Sequence, residues 1–220
     1  MRLAVIGDIH GNAARLALVL DAVAARNDVR GLLVTGDLAA GVFARMGGST
    51  GPAEILAVLR GTGLPFVFVP GNHDTPRMDE PENVDGRIGE FLGLRILGMG
   101  GSPRAFGLPY EWKDGSVDLP GGACDVVLSH TPPARTRLGI THRGKDVGSV
   151  QVRELLLQRR PAALVCGHIH EAVGMEVVDG VPCYNAGALG GPHARAQYGL
   201  LRPGRAAAFE HVAVPDEGRR

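Results

Sequence analysis

The sequence predicts an α/β fold whose C-terminal part is β-rich and closes the structure. Three observations predict it. Short apolar runs alternate with stretches of helical period up to about residue 170. The runs are apolar throughout, as expected of strands covered on both faces. From about residue 172 the helical periods stop and short strands follow one another.

Residues 2–6 (RLAVI) read as a buried strand ending at Gly7. A helix is expected over 12–25, where Ala13, Leu16, Ala17, Leu20, Val23 and Ala24 share one face. Residues 31–35 (GLLVT) form a second strand. Pro52 suits the first turn of a helix over 52–60. Strands are expected at 65–69 (PFVFV), 94–98 and 124–128 (CDVVL), then a helix at 149–159 and a strand at 162–166. The remainder reads as strands 172–178, 181–185, 197–202 and 206–213, the first two broken as a hairpin by Gly180 and Pro182. Segment 99–122 is rich in Gly and Pro and carries Tyr110 and the only tryptophan, Trp112. It is long for a loop, which often marks a functional segment.

The chain has 220 residues, 45% of them apolar, enough for the core of one domain over 1–220. No linker or internal repeat divides it. The 23 basic and 23 acidic residues balance, so no global field attracts nucleic acid or an anionic membrane. Cys124, Cys166 and Cys183 are odd in number, far apart and without a CxxC pair. Cys124 and Cys166, inside apolar runs, read as small buried residues, and the set suits a reducing compartment. The apolar run at the N-terminus is too short for a signal peptide, and none is long enough to span a bilayer. A soluble cytoplasmic protein is expected, with its oligomeric state open between monomer and homodimer.

Almost every apolar strand ends in a residue that binds metals or moves protons. LAVIG is followed by Asp8-Ile9-His10, LLVTG by Asp37, and FVFVPG by Asn72-His73-Asp74. VVLS is followed by His130, and AALVCG by His168-Ile169-His170. Ligands of α/β sheets bind outside the carboxyl ends of strands, so these ends are expected to meet at one sheet edge. Residues two apart in extended chain address one side, which pairs Asp8 with His10 and His168 with His170. Gly precedes the polar residue in four cases and is expected to let the backbone turn sharply. Taken singly, each motif also reads as ordinary cap or turn chemistry. The ordered set at successive strand ends does not.

The donors are carboxylate, imidazole and amide, with no thiolate. Such a set suits Mn, Fe, Zn, Co or Mg. Two carboxylates, four imidazoles and an amide exceed the needs of one tetrahedral ion, and a carboxylate such as Asp37 could bridge two. Two-metal sites clamp the oxygens of an in-line displacement, for which phosphate esters are natural substrates.

These motifs resemble the calcineurin-like metallophosphoesterases, whose pattern is D-x-H, G-D, G-N-H-D/E, a strand with a terminal His, and G-H-x-H. The resemblance spans residues 5–170. It implies a four-layer α/β/β/α sandwich, with two central mixed β-sheets flanked by helices. It implies that Asp8, His10 and His170 hold one metal, that Asn72, His130 and His168 hold the other, and that Asp37 bridges them. His73 would serve at the leaving group as general acid or charge stabiliser, with Asp74 orienting it or keeping it protonated, and Asn12 would support the ligands from behind or contact substrate. A narrower similarity links Gly98–Pro103, Ser129–Pro133 and Gly167–Glu171 to small prokaryotic phosphoesterases related to cyclic-AMP phosphodiesterases. Their N-P-G-S pattern is Asn185-Ala186-Gly187-Ala188 here.

The expected cofactors are two divalent ions, manganese preferred. The expected reaction is hydrolysis of phosphate esters, phosphodiesters preferred, by a hydroxide bridging the two ions. A phosphomonoesterase or protein phosphatase is the alternative, and a non-catalytic scaffold on this fold a second. The substrate could be a nucleotide or nucleic acid. Arg135 and Arg143, in the basic run after His130, are candidate phosphate contacts. Tyr110 and Trp112 read as covering the core edge, with stacking of a base as the alternative, and His193 and His211 read as surface residues.

Overall fold

The structure is a computed structural model that describes residues 1–39, 41, 50–113 and 117–216. Along the chain run β1 (Arg2–Ile6), α1 (Ala13–Ala24), β2 (Val29–Val34), α2 (Pro52–Gly61), β3 (Phe66–Phe68), β4 (Ile88–Phe91) and β5 (Leu94–Met99). Then come β6 (Ser102–Pro103), β7 (Glu111–Trp112), β8 (Val126–Ser129), a 3-10 turn (Arg137–Gly139), α3 (Val150–Arg159) and β9 (Ala163–Cys166). The last four are β10 (Gly174–Val178), β11 (Val181–Asn185), β12 (Gln197–Arg202) and β13 (Ala208–Ala213).

One sheet has the order β13-β12-β1-β2-β3 and the other β10-β11-β9-β8-β5-β4. Both are mixed. β1, β2 and β3 run parallel in the first, and β5, β8, β9 and β11 in the second. Antiparallel strands close the sheets: β12 and β13 beside β1, and β10 and β4 at the two edges.

Period-two alternation sorts each strand's side chains between two apolar layers. Leu3 and Val5 of β1, Leu33 of β2 and Val67 of β3 meet Ile96, Val126, Leu128 and Val165 in a core between the sheets. Their alternates Ala4, Ile6, Leu32, Val34, Phe66 and Phe68 pack with α1 and α2. Leu97, Val127, Leu164 and Cys166 pack with Val152, Leu155 and Leu156 of α3. Helices therefore cover the outer face of each sheet, giving the expected four layers.

Helix α1 buries Leu16, Val19, Leu20 and Val23. Its buried stripe is rotated from the expected one, with Val19 inside and Ala17 and Ala24 exposed. The larger side chain gains more from burial than either alanine. Pro52 occupies the first turn of α2, and Ser149 caps α3 by accepting from the N–H of Val152 at 3.2 Å.

Three short strands had no clear sequence signal. β4 and β5 are joined by Leu92 and Gly93, both with positive φ (49° and 79°), the geometry of a tight hairpin turn. Leucine in that conformation is uncommon, so Leu-Gly does not announce a hairpin as Asn-Gly does. β6 and β7 form a parallel two-stranded pair inside the expected loop 99–122, whose residues 114–116 lie outside the described residues. That segment is pinned at its base. Asp85 accepts from Gly100 N at 2.6 Å and from the Tyr110 hydroxyl at 2.6 Å. Buried Trp112 donates its indole N–H to Gly100 O at 3.0 Å. Tyr110 and Trp112 thus hold the segment down instead of offering stacking faces. Cys124, Cys166 and Cys183 are all free and buried.

Leu33 lies wholly between the sheets. Leu33→Ala should cost about 2–5 kcal/mol in chemical denaturation. Leu18→Ala, at an exposed position of α1, should stay within about 0.5 kcal/mol of the parent protein.

Candidate metal centre

The loops that follow β1, β2, β3, β8 and β9 meet at one end of the sandwich. The expectation of a single sheet edge needs correction. Asp8, His10, Asp37 and Asn72 come from the first sheet, and His130, His168 and His170 from the second. Strand ends of two stacked sheets can surround a point, whereas one edge presents its ligands in a row.

His10 Nε2 lies 3.1 Å from His170 Nε2, and His170 Nε2 lies 3.4 Å from Asp8 Oδ2. Asn72 Oδ1 lies 2.8 Å from His130 Nε2 and 3.0 Å from His168 Nδ1. Asp37 Oδ2 is between the two groups, 3.4 Å from His10 Nε2 and 3.7 Å from His130 Nε2. Asp8, His10, Asp37, Asn72, His130 and His170 are all buried.

The backbone is bent to bring these groups together. His10, Asp37 and His168 have φ of 46°, 47° and 68°, a left-handed conformation that non-glycine residues seldom adopt and that concentrates at functional sites. The preceding glycines act mainly by lacking a side chain. Of Gly7, Gly36, Gly71 and Gly167, only Gly36 has positive φ, at 110°. A Cβ on Gly71 would collide with Asp37 Oδ1, and one on Gly167 with Asp8 Oδ1 and Thr35 Oγ1. These two glycines let neighbouring loops close onto the carboxylates.

Surrounding groups aim the imidazoles. His130 Nδ1 is 2.8 Å from Thr35 O, and His170 Nδ1 is 3.0 Å from Pro192 O. A carbonyl can only accept, so each Nδ1 carries the proton and each Nε2 turns inward, as outer carbonyls do for metal-ligating histidines. Thr35 Oγ1 donates to Asp8 Oδ1 at 3.1 Å, and His168 N donates to Asp8 Oδ2 at 2.7 Å.

Burial tends to raise the Asp8 carboxyl, but His130, His170 and His10 outweigh it and hold Asp8 well below the usual range. Burial, together with the charges of Asp8 and Asp74, raises Asp37. Burial lowers His10 and His168 to about 3. Burial also works to lower His170, yet the bond to Asp8 wins and raises it. Two buried carboxylates and four imidazoles thus crowd their lone pairs into one small volume. Divalent cations would balance that charge through the same lone pairs, so the donor set fits metal ions.

His73 is half-buried, and its ring packs edge-on against His10 with centroids 5.2 Å apart. Burial lowers it to about 4. Its backbone N donates to Asp37 Oδ1 at 2.8 Å, which ties its position to the centre. Asp74, next to His73, is tied to backbone. Its carboxylate accepts from Leu38 N, Ala39 N and Gly71 N at 3.0, 3.1 and 2.9 Å, bracing the loop after β2 against the loop after β3. Asn12 caps α1. Its Oδ1 accepts from Arg15 N at 3.1 Å and its Nδ2 donates to Leu189 O at 3.2 Å.

A cleft of about 900 Å³ opens over Asp37, Asn72, His73, His168 and His170. Its walls are residues 102–106 of the Gly/Pro-rich segment and the 141–148 loop. Arg135 and Arg143 are exposed and do not line this cleft. Their neighbours His142 and Lys145 do, as does Arg104. Sequence reading located the basic cluster but not its members' directions, which a turn at 141–145 decides. Thr35 and Pro192 were also missed, because a backbone carbonyl leaves no mark in a residue pattern.

The family model described as calcineurin-like phosphoesterase matches residues 1–172. The chain belongs to the calcineurin-like phosphoesterase family. Members of this hydrolase family bind divalent metals through clusters of Asp and His, as gathered here around Asp8. No curated protein matches the chain. Among solved structures, TT1561 of Thermus thermophilus is similar, with a TM-score of 0.65 and 20% identity, covering 97% of this chain and 99% of its own. A hypothetical protein from the same organism has a TM-score of 0.58 at 16% identity, covering 98% of this chain and 100% of its own. A double mutant of Vps29 from Entamoeba histolytica has a TM-score of 0.51 at 18% identity, with the same coverage of 98% and 100%. At such identities the likeness is one of fold. No helix among the described residues is long and apolar enough to cross a membrane.

Asn12→Ala in this calcineurin-like phosphoesterase should lower stability by about 0.5–2 kcal/mol in thermal or denaturant unfolding, and Asn12→Ser should recover most of it. A fall in substrate affinity without loss of stability would restore Asn12 as a substrate contact.

Proposed function

We propose that the protein is a two-metal hydrolase of phosphodiesters, of the cyclic-nucleotide or nucleic-acid kind, and that manganese is its working metal. The position of Asp37 carries this reading. One carboxylate oxygen lies within 3.4 Å of His10 Nε2 and 3.7 Å of His130 Nε2, so it reaches both halves of the ligand set. Asp8, His10 and His170 would hold one ion, Asn72, His130 and His168 the other, and Asp37 both. A mixed set of carboxylate, imidazole and amide suits Mn²⁺. When bound, two such ions activate water at neutral pH and neutralise charge on the phosphoryl oxygens.

The chain's own groups supply the rest. His73 lines the cleft beside His10 and would offer its ring N–H to the leaving-group oxygen, stabilising the charge that develops there. Arg104 and Lys145 line the cleft walls and would attract an anionic substrate. Phe106 is 86% exposed on the same wall, an apolar face open to a nucleobase. A diester with a substituent on each side of phosphorus suits an open cleft of this size.

The test is an assay of Mn-loaded protein against a generic diester, a generic monoester, 2′,3′- and 3′,5′-cyclic nucleotides, and short single-stranded DNA and RNA. Turnover of diesters is expected; turnover of monoesters alone would overturn the preference. Asp37→Asn should lower metal content, measured by atomic emission, together with activity. His73→Ala should reduce kcat by about 10²–10³-fold with metal content unchanged. Loss of metal in that variant would contradict its place outside the ligand set.

A further inference from the structure

A second group of ligating side chains lies at the mouth of the cleft, made of His142, Glu171 and His193. One ligand atom from each comes within 4.8 Å of the other two. His142 Nδ1 is 3.1 Å from Glu171 Oε1, and His142 N donates to the same oxygen at 2.9 Å. The rings of His142 and His193 stand 5.4 Å apart between centroids at an interplanar angle of 43°. An ion pair accounts for His142 and Glu171 alone. The second imidazole is surplus to that pair, and it completes a set of two nitrogens and one carboxylate around a common point.

Three separate segments deliver these groups. His142 sits in a tight turn closed by Thr141 N to Lys145 O at 2.9 Å and Gly144 N to Thr141 O at 2.8 Å. Glu171 directly follows His170. His193 directly follows Pro192, whose carbonyl accepts from His170 Nδ1. His193 itself has φ of 59°, a left-handed backbone, and it lines the cleft. The group is therefore built onto both neighbours of one inner histidine, and it stays distinct from the seven inner residues.

We propose that His142, Glu171 and His193 form a separate binding site for a divalent cation of the zinc type. Two imidazoles and a carboxylate are a common zinc donor set, and three protein ligands leave a fourth tetrahedral position open. All three residues line the cleft, so that position is available to an anionic oxygen of a molecule bound there. His142 has 56% of its side chain exposed and Glu171 23%, so the site binds more weakly than the enclosed inner cluster and fills after it.

Zinc bound per chain, counted by equilibrium dialysis of the metal-stripped full-length protein, tests the site. The parent protein is expected to bind one zinc more than the His142→Ala/His193→Ala variant, and Glu171→Gln is expected to lose the same equivalent. The difference of one should persist when Asp37→Asn is added to both proteins. With cobalt in place of zinc, the visible absorption of the outer site should vanish in the double variant. Circular dichroism should stay unchanged in the double variant, since His142 and His193 are exposed. Equal stoichiometry in the parent and both outer-site variants would refute the site. If the parent binds a single zinc and the double variant none, the outer site stands and the two-metal reading falls.

Discussion

Asp8 is fully buried, and its carboxylate is bonded to both sheets. One oxygen takes the hydroxyl of Thr35, just past β2 in the first sheet. The other takes the backbone N–H of His168, just past β9 in the second. Its own backbone joins a third segment, donating to Gly187 O at 3.0 Å and accepting from Leu189 N at 2.7 Å. A buried carboxylate must be satisfied from every side or neutralised. That requirement holds the loops after β1, β2, β9 and β11 in register, and the cleft forms where they meet.

The site is made at some cost to the fold. Three of its residues sit in left-handed backbone, and two glycines are confined by carboxylates that allow no Cβ. The two stacked sheets supply the rigidity that maintains this strain. Asn185 contributes from below: its amide donates to Leu138 O and Ile169 O at 3.0 and 3.1 Å, and its oxygen accepts from Gly187 N at 2.7 Å. The C-terminal motif is thus a buried backbone clasp. Ala186 and Ala188, standing where the related pattern has Pro and Ser, are both fully buried, and Ala188 has no hydroxyl in place of the Ser.

Much of the fold was legible because burial on both faces leaves continuous apolar runs, and β1, β2, β3, β8 and β9 each carry one. β4, with an exposed Glu90 and an unusual Leu-Gly turn, lacked that signal. The candidate centre was legible because its residues are side chains of distinctive chemistry placed just after those runs. Asp74 and Asn12 show what such reading does not reach. Each is bonded to backbone groups of neighbouring segments, which composition cannot reveal.

The sequence by itself determined the alternation of strands and helices, the family, and the seven candidate ligands, because local pattern and chemical type are carried residue by residue. Only the tertiary structure decided that two sheets share the site. It also decided that, among the described residues, Phe106 rather than Tyr110 or Trp112 lines the cleft. The grouping of His142 and His193 with Glu171 has the same origin. These outcomes depend on where loops distant in sequence come to rest, and hydrogen bonds to backbone atoms set those positions.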